Sequence, residues 1–277
     1  MTRAELRAMP FAGVNGQTIH YQDTHPESGP EAPAIVLSHG FAMDHEMWVH
    51  QVEPLADAGW RVIAYDERGW GQTIHDGPFD YWDLAKDVLA LMDHLHLDSA
   101  VLGGMSQGGF LSLRAALTAP KRVRALVLVD SEAGTYTDEE AAGYQALFDA
   151  AMEMGMVGDL GEAMQAALFG PEFADARYWR GKWVARPVTR WLDAKECLFG
   201  RDDITDRIGE IACPAITFHG DVDMAIPLDD GRALAEGLSG PSEFVVIPNA
   251  GHSANLEKPE LLNPPMLAFL ESLPEPA

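Results

Sequence analysis

The stretch Ala100-Val101-Leu102-Gly103-Gly104-Met105-Ser106-Gln107-Gly108 decides the fold. An apolar run too short for a helix, Ala100 to Gly103, passes through a Gly-x-Ser-x-Gly turn into the helix-length amphipathic segment Gln107 to Leu117, so the pattern predicts strand, tight turn, helix. Glycine at 104 and 108 has a steric reason. The turn forces an unfavourable backbone conformation on Ser106, and a side chain at either flank would collide with a neighbouring strand or helix. A serine presented in this way is a candidate nucleophile.

Outward from that turn the same alternation repeats. Short runs rich in Val, Ile and Leu occur at Ala34 to Leu37, Arg61 to Tyr65, Arg124 to Val129, Ala215 to His219 and Phe244 to Ile247. Helix-length segments lie between and after them, at Glu46 to Ala58, Tyr81 to Leu95, Leu228 to Leu238 and Pro259 to Leu273. Strands alternating with helices imply parallel βαβ units whose sheet is covered on both faces. The start differs: Phe11 to Asp23 carries Asn15-Gly16, the favoured pair for a two-residue hairpin turn, ahead of a Pro/Gly-rich linker from Pro26 to Pro33. From Tyr136 to Phe199 the alternation stops and Ala, Met, Glu, Leu and Trp prevail, which reads as an inserted helical cap. The expected fold is α/β, a mostly parallel sheet with an antiparallel N-terminal hairpin. Residues 1–135 and 200–277 form its core domain and 136–199 the cap.

Composition narrows the function. With 47% apolar residues in 277 the chain can bury a sizeable core, and a net charge of −24 repels phosphate backbones and anionic lipid head groups. Nucleic acid and membrane surfaces are excluded as partners on that ground. No apolar run approaches the roughly 18 residues that span a bilayer, and Met1 to Pro10 contains no apolar signal core. Cys197 and Cys213 suit neither a disulfide framework nor a zinc site and read as buried free thiols. The expectation is a soluble cytoplasmic protein without a metal or cofactor, and either a monomer or an oligomer fits.

A serine hydroxyl needs a base, and the base needs an acid to fix its tautomer. His252, just past the last strand run, is the candidate base, and the loop Gly220-Asp221-Val222-Asp223 after the preceding strand offers two carboxylates. A developing oxyanion needs two backbone N–H donors: Gln107 supplies one, and Phe41, in Ser38-His39-Gly40-Phe41, the other. The other histidines, among them His20 and His45, read as polar or surface residues, and His39 as a loop support. If Asp221 is not the acid, it caps its own loop.

These segments, together with Asp66-Glu67-Arg68-Gly69-Trp70-Gly71 and Gly251-His252, resemble the α/β-hydrolase superfamily. Its Gly-x-x-Asp-x-x-x-Pro pattern falls on Gly220, Asp223 and Pro227, so the resemblance implies a triad of Ser106, Asp223 and His252. Asp66 and Arg68 are then loop-holding residues. Serine at 106 departs from haloalkane dehalogenases and epoxide hydrolases, which use aspartate there. The segments Cys197 to Ala215 and Ala250 to Glu257 are similar to 3-oxoadipate enol-lactonases and related esterases, although those lactonases commonly carry Asn-Ser where this chain has His39-Gly40. The resemblance implies hydrolysis of a small carboxylic ester or lactone through an acyl-enzyme. C–C bond hydrolysis of ring-cleavage products, cofactor-free perhydrolysis and a ligand receptor are the alternatives. Gly40, Trp179 and Trp183 are candidate substrate contacts. Arg177, Arg180, Lys182, Arg186, Arg190 and Lys195, a local reversal of charge, either dock the cap or bind a substrate carboxylate.

Overall fold

The computed structural model describes residues 10–25, 27 and 32–274. The segment before Pro10 and most of the Pro26 to Pro33 linker lie outside the described residues. In chain order the elements are β1 (Phe11–Val14), β2 (Gln17–Asp23), β3 (Ala34–Ser38), α1 (Val49–Asp57), β4 (Arg61–Tyr65), α2 (Tyr81–His94), β5 (Ala100–Met105), α3 (Gln107–Thr118) and β6 (Val123–Val129). Four helices follow without a strand: α4 (Asp138–Met154), α5 (Gly158–Leu168), α6 (Ala176–Ala185) and α7 (Leu192–Phe199). The chain then returns through β7 (Ala215–Gly220), α8 (Leu228–Gly237), β8 (Ser242–Ile247), α9 (Ala254–Glu257) and α10 (Pro259–Ser272).

These strands build one 8-stranded sheet in the order β1-β2-β4-β3-β5-β6-β7-β8. Asn15 and Gly16 both take positive φ, 48° and 75°, the geometry of the two-residue turn that matches strand twist, and β1 and β2 pair antiparallel across it. β2 also meets β4 antiparallel, and every pairing from β4 through β8 is parallel. Strands β3, β5 and β7 are buried at every position, as expected where helices cover both faces.

Local chemistry sets the helix starts. Asp80 and Asp83 form a reciprocal capping box on α2, and Thr137 and Glu140 form one on α4. The expected helix from Glu46 to Ala58 is instead a 3₁₀ turn, His45–Trp48, followed by α1. Asp44 accepts the N–H of Glu46 with its side chain and that of Met47 with its carbonyl, which favours the tighter i→i+3 winding. β5 extends two residues beyond the expected end because Met105 still pairs with Val129.

The four-helix segment is tied where it leaves and returns. Arg201 donates to the Glu132 carboxylate (2.7 Å) and the Gly134 carbonyl (3.0 Å), and its guanidinium lies over the Phe110 and Tyr136 rings. Of the two free cysteines Cys197 is buried, whereas Cys213 is half-buried.

Candidate active site

Ser106 stands between β5 and α3 at φ 50°, ψ −113°, a backbone region that costs a non-glycine residue about 1–3 kcal/mol. The flanking glycines are dictated by backbone proximity: a Cβ on Gly104 would lie 2.1 Å from the Gly108 carbonyl oxygen, and one on Gly108 2.3 Å from that of Ser38. The Ser106 N–H donates to Val129 O (2.9 Å), so the strained residue is anchored to the sheet's own ladder.

The strand ends deliver the partners. Ser106 Oγ–H points to His252 Nε2 at 2.9 Å, and His252 Nδ1–H to Asp223 Oδ2 at 2.7 Å. The other Asp223 oxygen accepts the N–H groups of Ala225 (2.7 Å) and Ile226 (3.0 Å), which fixes the carboxylate on its own loop. Asp221 faces elsewhere. It accepts the N–H of Asn249 (2.7 Å) beyond β8, so it ties two loops together instead of capping its own.

Burial disfavours a charged His252, yet the Asp223 charge and hydrogen bond raise its pKa above the ordinary imidazole range. Burial also works against ionised Asp223, but His252 and His219 hold its carboxyl well below the usual range.

Two residues behind these three have no counterpart in the sequence reading. Asp130, fully buried at the end of β6, accepts the N–H of Gly220 (2.8 Å) and of Ala254 (2.9 Å) and so braces the loops that carry Asp223 and His252. Burial and the Asp223 charge push its carboxyl up to about 6. His219 donates from Nε2 to Ile226 O (3.0 Å), with Asp223 Oδ2 3.3 Å away; burial opposes its charge, but Asp223 and Asp130 raise it to about 9. The signal for Asp130 is an acid at the carboxyl end of a buried strand, where open α/β sheets gather functional groups.

The N–H of Gln107, at the start of α3, and that of Phe41 have no protein acceptor among the described residues. The Phe41 ring is wedged edge-on against Trp70 (4.8 Å between centroids) and Phe148 (5.4 Å). Gly40 leaves room for Met105, whose sulfur would be 2.3 Å from a Cβ at 40. His39 accepts the Glu67 N–H at Nε2 (2.9 Å) and donates from Nδ1 to Gly40 O (2.8 Å), and burial lowers its pKa to about 4.

His20 and His45 are buried, contrary to the surface reading, because Asp66 takes a hydrogen bond from each Nδ1, at 2.8 and 2.7 Å. Arg68 forks onto Asp87 at 2.5 and 2.8 Å. Two sets, His20–His45–Asp66 and Asp130–His219–Asp223, bring three possible metal-ligand atoms within 4.8 Å. In both the atoms are engaged in hydrogen bonds, to one another, to backbone groups or, for Asp223, to His252.

The basic segment docks α6 and its neighbours. Lys182 binds Asp44 (2.7 Å) and Glu46 (3.1 Å), Lys195 binds Glu196 (3.1 Å), and Arg186 donates to the carbonyls of Gly69 and Gly71 while lying over Trp70. Arg177 and Arg190 have no ion-pair partner among the described residues. Trp183 donates its indole N–H to Ala42 O (2.8 Å) and stacks on Phe169, while Trp179 lies under the Lys182 ammonium. A crevice of about 380 Å³ opens between Trp70, Trp183, Trp191 and Arg190; neither Ser106 nor His252 lines it.

Comparison with known proteins gives the same architecture. The chain is 26% identical over 277 residues to 3-oxoadipate enol-lactonase 1 of Acinetobacter baylyi, covering 98% of this chain and 99% of that one. The enol-lactonase of Burkholderia xenovorans LB400 superposes with a TM-score of 0.85 at 28% identity, covering 95% of this chain and all (100%) of the other. A thermophilic esterase from Thermogutta terrifontis does so at 0.83 and 27%, covering 96% and 97%. The profile of the α/β hydrolase fold matches residues 33–259, so the sheet, the serine turn and the loops at its carboxyl edge place this chain in the α/β-hydrolase family.

Proposed function

We propose that this protein is a serine hydrolase of small carboxylic esters or lactones. The observation that supports it most is the hydrogen-bonded line Ser106–His252–Asp223 at a serine held in a strained turn. In this reading Ser106 Oγ attacks the carbonyl carbon as His252 Nε2 takes its proton, and the Asp223 carboxylate stabilises the imidazolium. The N–H groups of Gln107 and Phe41 receive the negative charge on the carbonyl oxygen; one such donor typically contributes about 3–4 kcal/mol in the transition state. His252 then gives its proton to the leaving alkoxide, and water, deprotonated by the same imidazole, releases the acid. No step requires a metal or an organic cofactor. Residues 136–199 act as a cap on the core formed by 1–135 and 200–277.

The relatives' names, enol-lactonase and esterase, point to the same substrate class. The test is a panel of activated esters, lactones and vinylogous ketones with wild type and Ser106→Ala, together with a fluorophosphonate probe and mass mapping of the label. Turnover of esters or lactones, lost in the variant, with label on Ser106, is the expected result. Ester turnover that survives in Ser106→Ala would overturn the reading.

A further inference from the structure

Behind the two oxyanion donors lies Glu67, a carboxyl group only 1% exposed. Its Oε2 accepts a hydrogen bond from Gln107 Nε2 at 2.6 Å, and its Oε1 is buried with no hydrogen-bond partner among the described residues. Its own N–H donates to His39 Nε2, and His39 Nδ1–H donates to Gly40 O, the carbonyl of the peptide whose nitrogen is Phe41 N. A continuous path therefore runs from the Gln107 side chain, through Glu67 and His39, to the Phe41 peptide. Among the described residues no other protein group links the two donors in this way.

We propose that Glu67 is a positioning residue for the reaction, joining the Gln107 and Phe41 donors into one frame through its side chain on the first and its backbone, by way of His39, on the second. The inference rests on the serine-hydrolase reading above. Its value lies in distance tolerance: a donor displaced by a few tenths of an ångström from the oxyanion position loses much of its contribution. Burial pushes the Glu67 carboxyl well above the ordinary range, the Asp66 and Asp87 carboxylates push the same way, and the hydrogen bond from Gln107 acts in the opposite direction.

The experiment compares Glu67→Gln, Glu67→Leu, Gln107→Met and the double variant Glu67→Leu/Gln107→Met. For each, the second-order rate of Ser106 labelling by a fluorophosphonate is measured, with kcat and KM for p-nitrophenyl acetate and thermal unfolding. Glu67→Gln keeps an acceptor for Gln107, so it stays within threefold of wild type. Glu67→Leu and Gln107→Met each slow labelling and kcat by about 10- to 100-fold with KM changed less than threefold, because the loss is confined to transition-state stabilisation. The double variant is no slower than the slower single one, since both remove the same bond.

Labelling by Glu67→Leu within threefold of wild type, a Glu67→Gln variant as slow as Glu67→Leu, or multiplicative losses in the double variant would each overturn the proposal. If Glu67→Leu does not fold, Glu67→Gln and Gln107→Met decide it by the same limits. Failure of the underlying reading has a separate signature: wild type would not be labelled at Ser106 at all.

Discussion

His252 Nδ1 lies 2.7 Å from Asp223 Oδ2, and both side chains are almost wholly withdrawn from solvent, 3% and 0% exposed. An imidazolium in such a place is supported almost entirely by its partner. The base must be neutral to take the Ser106 proton, and its pKa is raised, so kcat/KM falls as pH drops through a midpoint above the ordinary histidine value. Asp223→Asn leaves the burial and removes the charge, which shifts that midpoint downward and lowers kcat by about 10³- to 10⁴-fold. A pH–rate profile of both proteins checks the sign. A midpoint that rises or stays fixed in Asp223→Asn would contradict the assignment.

Asp221 gives the matching control. Its carboxylate holds one N–H, that of Asn249, on the exposed side of the loop. Asp221→Asn is expected to keep kcat within about threefold and to cost about 1 kcal/mol of stability. Parallel kinetics and urea melts measure both. A larger kinetic loss at 221 than at 223 would reverse their roles.

The strain at Ser106 is measurable in the absence of turnover. A φ of 50° with ψ −113° is costly to any side chain and cheap for glycine. Ser106→Gly is therefore expected to be more stable than Ser106→Ala by about 1–2 kcal/mol, although glycine loosens the unfolded chain. Equal melting temperatures would show that the turn is not strained.

The same turn sets the penalty at 108. A Cβ there meets the carbonyl groups of Ser38 and His39 at 2.3 and 2.9 Å, both backbone, so the clash cannot be relieved by a rotamer change. Gly108→Ala is expected to destabilise by more than about 2 kcal/mol and to displace the Phe41 loop. Chemical denaturation and the fluorophosphonate labelling rate report the two effects.

Lys182, Arg186 and Lys195 already have partners, and Arg190, without an ion-pair partner among the described residues, lines a crevice that neither Ser106 nor His252 reaches, so the basic segment offers little to a carboxylate on a substrate at the serine. The ratio of kcat/KM for a neutral ester to that for its acid-bearing analogue should not vary with ionic strength between about 0.05 and 0.5 M, a range over which exposed charges become screened. A preference for the acid that fades with salt, and falls again in Arg190→Gln, would show that this face recognises anions.

What could be read from the sequence and what could not differ in range along the chain. Asn15-Gly16 and the glycines around Ser106 were legible because the steric demand lies within a few residues. Asp223 and His252 were legible because each follows a strand end, where parallel sheets bring loops together. Glu67, Asp130 and the buried pair His20 and His45 were not, because their meaning comes from partners 40, 90, 46 and 21 residues away, which no local pattern announces. The start of α1 escaped for a different reason: the hydrophobic period is the same whether the first turn is α or 3₁₀, and only the hydrogen bonds to Asp44 distinguish them.

The clasp of Arg201 on Glu132 and Gly134 also bears on how this scaffold can vary. The two ends of the four-helix segment are pinned side by side, so a replacement of different length closes across the same short gap and leaves the register of β6 and β7 intact. The segment can therefore be exchanged as a cassette, provided the graft brings its own packing for the Phe41 ring, which here rests on Phe148 and Trp191. Diversification is constrained at that aromatic contact and at Lys182, Trp183 and Arg186, which bond to Asp44, Ala42 and the carbonyls of Gly69 and Gly71. A library built on this protein should accordingly hold 148 and 191 aromatic, keep Lys182, Trp183 and Arg186, and randomise the exposed positions.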